Sequence, residues 1–232
     1  MSEVPDALFP SSNEWGIPDL RLDRQADYID LPVAVWGQFA RTRKHRGTYH
    51  FYTDDCRFTG LWKDPQKLVA SGCITAIEPN FSTSVDQPLA VTIWETYRKR
   101  WLARYWQENG VRVLVDMNVA PTAEAINMAG VPYGWRAYAT RVHVGTRERT
   151  LDRQWKLAES YAGTDDFLFV VYGSANAVKV ICEDRGWIFL KETHWPDADH
   201  SNEINFGKLT KPEPKKAKVD LLELIQTTSY KS

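Results

Sequence analysis

Net charge is almost missing from this sequence: across 232 residues, 29 lysines and arginines stand against 30 aspartates and glutamates, a formal charge of −1. No global field therefore draws the chain to DNA, to a membrane or to an acidic substrate, and any nucleic-acid contact must come from a local patch. Cysteine is scarce as well. Cys56, Cys73 and Cys182 lie far apart, which excludes a CxxC redox motif, zinc-ligand spacing and an even-numbered disulfide framework, and predicts reduced structural thiols. No apolar run approaches the about 18 residues of a membrane span. The opening MSEVPDALFPSSNEWGIPDL is acidic and broken by prolines, with neither the basic nor the apolar region of a secretory leader; the expectation is a soluble, cytoplasmic protein. Phosphate-cradling glycine loops are absent too. Without GxGxxG or GxxxxGK[ST], a dinucleotide or nucleoside-triphosphate domain is disfavoured. There is no Ser-His-Asp elbow, no HExxH helix and no His-hydrophobic-His triplet, since VHV at 142–144 carries one histidine.

What is present is enough apolar material for a sizeable core, 43% of residues, within the length of one large domain or two small ones. Aromatics are plentiful, with 10 Trp, 10 Tyr and 9 Phe; most are expected to pack, although such a surplus can also stack on bases. Apolar β-branched runs alternate with helical ones. Strands are predicted at Leu31 to Trp36, Tyr49 to Thr53, Ile74 to Glu78, Val111 to Val115, Ala137 to Val142, Phe167 to Tyr172 and Trp187 to Leu190. The clearest helix runs from about Pro88 to Asn109, with Asp86 near its cap and Gly110 as its stop, and a second runs from Thr150 to Gly163. Another follows Asn176, with short turns after Asp64 and Thr122. This rhythm predicts an α/β fold with a mainly parallel sheet, an incomplete or modified (β/α) barrel, over residues 1–206 with an extension at 1–30. From about Gly207 the Lys/Pro-rich KLTKPEPKKAKV reads as a linker, and DLLELIQTTSY as a short amphipathic segment from Asp220.

In such folds the loops after the strands converge, so polar residues at strand C-termini are site candidates. These are Asp54 and Asp55, Glu78 and Asn80, Asp116 and Asn118, Thr140 and Arg141, Tyr172, and Lys191 with Glu192. Asp54, Asp55, Glu78 and Asp116 form a candidate catalytic set. Clustered carboxylates of this kind could tune one another as acid and base, and Asp54, Asp55 and Glu78 could hold a divalent cation. The ordinary reading is that Asp, Asn and Pro after a strand simply make turns and caps. His194, Asp197, Asp199 and His200 crowd into HWPDADH, a weaker metal candidate that matches no known ligand spacing.

The helix WETYRKRWLARYWQ interleaves Arg98, Lys99, Arg100 and Arg104 with tryptophans and tyrosines, a pattern able to grip a single-stranded backbone while stacking bases. An aromatic core stripe with arginines at its margins gives the same sequence. Arg41, Arg43, Lys44 and Arg46 add a basic run. At the other end Leu221, Leu222, Leu224 and Ile225 could dock a protein partner or fold back on their own domain.

The stretches WGIPDL, FYTDDCRFTGLWKDP, EPNFS, DQPLAVTIWETYRKRWLARYWQENG and GVPYGWRAYATR together resemble the proteins grouped as domain of unknown function 4417, over about residues 14 to 192. The resemblance implies a phage, plasmid or bacterial mobile-element setting and no established reaction. It departs at Asp116, where a less acidic residue is expected, and before the long helix, where only Asp86 and Pro88 of STSVDQP follow the pattern. Two expectations result: a mobile-element protein acting in DNA transactions by binding nucleic acid and a protein partner, or a metal-dependent hydrolase or phosphoryl-transfer enzyme with an acidic site. A host-targeting, protein-binding factor is a third.

Overall fold

The structure is a computed structural model that describes residues 5, 7–37, 46–142 and 148–192. All seven expected strands are present: β1 (Val33–Val35), β2 (Thr48–His50), β3 (Thr75–Ile77), β4 (Arg112–Asp116), β5 (Ala137–Arg141), β6 (Leu168–Gly173) and β7 (Ile188–Lys191). They pair in chain order, every pair parallel. The sheet curls into a half-barrel: the rings of His50 on β2 and Tyr172 on β6 meet with centroids 4.5 Å apart, although three strands lie between theirs. An α/β half-barrel is what the alternating apolar runs predicted.

Helices join the strands: α1 (Gly60–Lys63), α2 (Gln66–Ala70), α3 (Leu89–Glu108), α4 (Glu124–Asn127), α5 (Glu148–Ala162) and α6 (Asn176–Arg185). Pro88 occupies the N-cap of α3 with no side-chain cap bond, so Asp86 does not close the end as expected. Gly110, at φ +88°, takes the left-handed turn that stops it. Strand β6, although only one strand in from the edge, is buried along nearly its whole length, which explains its unbroken FVVY run.

Two apolar clusters form the core. One packs β1–β3 against α1–α3 through Tyr49, Phe51, Phe58, Leu102 and Trp106; the other joins β4–β7 to α5 and α6. Alternation along β2 therefore turns Tyr49 and Phe51 outward to the helices and leaves His50 and Tyr52 on the concave face, where Tyr52 stacks on Tyr172 at 5.4 Å.

The sheet has a seam. β4 pairs with β3 over Arg112–Leu114 but with β5 only at Val115 and Asp116. The N-terminal arm fills the gap: the Ala26 N–H donates to the Val113 carbonyl at 3.0 Å, and the Gln25 side chain accepts from the Arg136 N–H at 2.6 Å. On its way there the arm is tied to α3. Trp101 Nε1 donates to the Ala7 carbonyl at 2.9 Å, and the Gln107 amide accepts from Arg21 N and donates to Arg21 O.

Candidate functional site

At the carboxyl end of β3 and β4 the fold buries two acids and two bases together. Their positions follow from α3, whose inward face is Thr92, Thr96, Lys99, Ala103 and Gln107, a stripe of small and polar residues at helical spacing. The stripe carries Lys99 and Arg100 under the helix, at 2% and 0% exposure. Arg100 pairs with the fully buried Glu78, and its other guanidinium nitrogens donate to the carbonyls of Asn127 and, at 3.2 Å, Ala129. Glu78 in turn accepts from the Asp116 N–H at 3.2 Å.

Asp116 is the hub. One carboxylate oxygen accepts from the Tyr52 hydroxyl at 3.2 Å and the Asn118 N–H at 3.0 Å. The other accepts from Lys99 Nζ at 3.3 Å and the Asn80 amide at 3.2 Å. Its backbone carbonyl takes Lys99 Nζ and Asn127 Nδ2 as well. Burial pushes the Asp116 carboxyl up to about 6 from its ordinary 3.8, against the pull of the Lys99 charge and the Asn118 N–H and with a further push from Glu78. Burial, with the negative charge of Asp116 beside it, also raises the Tyr52 phenol well above its usual range. His50 goes the other way: burial, then the nearby Arg141 charge, holds its imidazole down to about 3. The ring is neutral, and its Nδ1 accepts from the Tyr52 N–H at 3.3 Å.

Around this centre stand partly exposed polar groups. Arg141 donates to Glu192 at 2.7 Å and lies 5.9 Å from the Tyr172 ring centroid, and Asn80 and Asn118 flank Asp116. Behind them Thr140 donates to Gln154, which donates to the Met117 carbonyl, fixing β4, β5 and α5 together.

Of the candidate acids, Glu78 and Asp116 come together; Asp54 and Asp55 do not join them. Asp54 is exposed, 3.8 Å from Arg57, and the Asp55 carboxylate accepts from the Ser82 N–H and hydroxyl, both at 3.0 Å. The set Asp54, Asp55 and Glu78 does not fit a divalent cation, because Glu78 is already neutralised by Arg100 and the other two face different partners. Among the described residues no group of three or more His, Cys, Asp or Glu is placed to hold a metal ion. HWPDADH lies outside the described residues.

The basic candidates scatter. Arg100 is a core residue with no surface to offer a phosphate. Arg98 pairs with Glu95 over the Phe81 ring, and Arg104 bonds Glu108 and the Asp19 carbonyl beside Phe9. Arg46 is exposed just before β2, at the opposite end of the sheet from the acids. Trp101 and Trp106 are core, while Trp94, Tyr97 and Tyr105 are only partly buried. Arg41, Arg43 and Lys44, like Leu221, Leu222, Leu224 and Ile225, lie outside the described residues.

Sequence reasoning took Lys99 as part of a basic surface, whereas it is buried on Asp116, and missed the pair His50 and Tyr52. Two signals were available: the small polar stripe on α3, which marks Lys99 as inward, and the two-residue spacing that puts His50 and Tyr52 on one strand face.

A family model, described as Domain of unknown function (DUF4417), matches residues 9–179. The chain is 38% identical over 199 residues to the Gene 1 protein of Mycobacterium phage D29, a match covering 81% of this chain and 70% of that protein. It is 30% identical over 199 residues to the Gene 1 protein of Mycobacterium phage L5, covering 81% of this chain and 82% of that protein. No solved structure matches. Among the described residues no helix is long and apolar enough to cross a membrane.

Proposed function

This chain belongs to the DUF4417 family, whose relatives here are phage proteins, and on that premise we propose that it acts in nucleic-acid transactions of a mobile element through the carboxyl mouth of its half-barrel. One observation supports the mouth over the basic face of α3: Asp116, fully buried at a strand end, is held by four donors from four different residues. A carboxyl so placed, titrating at about 6, is suited to exchange a proton near neutral pH. The rim complements it. Arg141 can pair with a phosphate, and the amides of Asn80 and Asn118 can donate to and accept from a base edge.

Anisotropy of labelled single- and double-stranded oligonucleotides tests this. Binding is expected to weaken with salt and to fall about tenfold in Arg141→Ala, while Arg98→Ala leaves it unchanged. Absence of binding, or binding indifferent to Arg141, refutes the assignment. A second reading, an enzyme acting on its ligand at the same mouth, is favoured by the raised carboxyl of Asp116. It requires turnover whose pH profile has a limb near the Asp116 value of about 6, a limb that is lost in Asp116→Asn.

A further inference from the structure

The N-terminal arm and the first half of α3 enclose a groove of ≈ 580 Å³, lined chiefly by Leu8, Phe9, Trp15, Ile93, Trp94 and Tyr97. Among the described residues no charged side chain lines it. Leu8 is 77% exposed and Trp15 37%, and Leu89 and Val91, on the neighbouring turn of α3, are exposed too. Ala90, in the first turn of α3, forms part of the wall. That turn has no side-chain cap and no acidic residue of its own, so the positive end of a 20-residue helix beside the groove favours an added carboxylate. The groove therefore asks for an apolar segment that also carries carboxylates.

This chain contains one. Asp220 to Ile225 reads DLLELI, four aliphatic residues with Asp220 and Glu223 among them and no base. We propose that this segment docks in the groove of its own chain, with its leucines against Trp15 and Trp94 and a carboxylate at the start of α3. Geometry permits it. The described chain leaves β7 at Glu192, at the carboxyl end of the parallel sheet, and α3, which follows β3, begins at that same end. The residues between Glu192 and Asp220 extend to on the order of 90 Å, against a domain about 30–40 Å across. The groove is separate from the mouth described above, so this assignment stands or falls independently of the nucleic-acid reading.

Hydrogen exchange on the full-length protein decides it. In Leu221→Glu/Leu224→Glu/Ile225→Glu, amides of residues 8–18 and 89–97 are expected to exchange about tenfold faster than in the unsubstituted chain, with exchange in β6 unchanged. Equal rates in the two proteins overturn the proposal. A second measurement pairs Leu8→Cys with Leu224→Cys in a Cys56→Ser background. Mild oxidation is expected to give an intramolecular disulfide in a monomer, whereas Tyr133→Cys with Leu224→Cys gives none. Disulfides formed only between chains, or formed equally from position 133, also overturn it.

Discussion

Replacing Arg100 by methionine separates a core role from a surface one. The guanidinium is fully buried and holds Glu78 together with the carbonyls of Asn127 and Ala129. Methionine fills a similar volume but leaves Glu78 charged, buried and unpaired. Removing one partner of such a pair costs about 3–5 kcal/mol, and the stranded carbonyls keep the estimate at the upper end. For a chain of this size that is a fall in melting temperature of roughly 6–20 °C. Urea denaturation followed by circular dichroism gives the free energy directly. Adding Glu78→Gln should recover part of the loss: it removes the uncompensated charge while keeping an oxygen to accept the Asp116 N–H. The double-mutant cycle should return a coupling of about 1–3 kcal/mol. A loss below about 1 kcal/mol for the single variant, or an unchanged loss in the Glu78→Gln background, would show that water reaches the pair and would refute the buried quartet.

Two groups give opposite pH dependences. His50 is held down to about 3 from 6.5, so its contribution to stability is complete above 6.5 and is lost as pH falls through 3. Asp116 is raised to about 6 from 3.8, so its contribution is complete below 3.8 and is lost as pH rises through 6. Melting midpoints of His50→Gln should therefore fall less on acidification than those of the unsubstituted protein, and an identical fall would contradict a neutral, buried imidazole. Gly130→Ala should destabilise by roughly 1–3 kcal/mol in urea titration, because Gly130 has φ +76° and a Cβ would overlap the Pro18 carbonyl oxygen; a neutral result would mean that the arm is not seated there. A thiol reagent should label Cys56 alone in the native protein, since it is exposed while burial raises Cys73 and Cys182 to about 12. Native labelling of Cys73 or Cys182 would contradict their burial.

The strands were legible because each is a short apolar run bounded by turn residues, and a parallel sheet needs little more than that pattern and the helices between. The long helix was legible for a similar reason: Pro88 and Gly110 punctuate it locally, and the observed Leu89–Glu108 lies inside the expected span. The site was only half legible. Strand ends pointed to Glu78 and Asp116 but equally to Asp54 and Asp55, because turn chemistry and site chemistry draw on the same residue types. What separates them is whether a base arrives from elsewhere in the chain. Lys99 reaches Asp116 from a different element, and the sequence around it looks like a basic surface. The basic residues of α3 were ambiguous for the same reason: its inward face carries Lys99 and Arg100, which a reading that equates charge with solvent would turn outward.

The seam between β4 and β5 bears on how the protein is made. Gln25 and Arg136, joined across it, are 111 residues apart, and Trp101 holds the Ala7 carbonyl from 94 residues away. On the ribosome the arm is made long before β5, and its seat does not exist until β5 has been synthesised. The arm therefore cannot be seated until segments made much later have folded, which places its docking late among the steps that complete the domain.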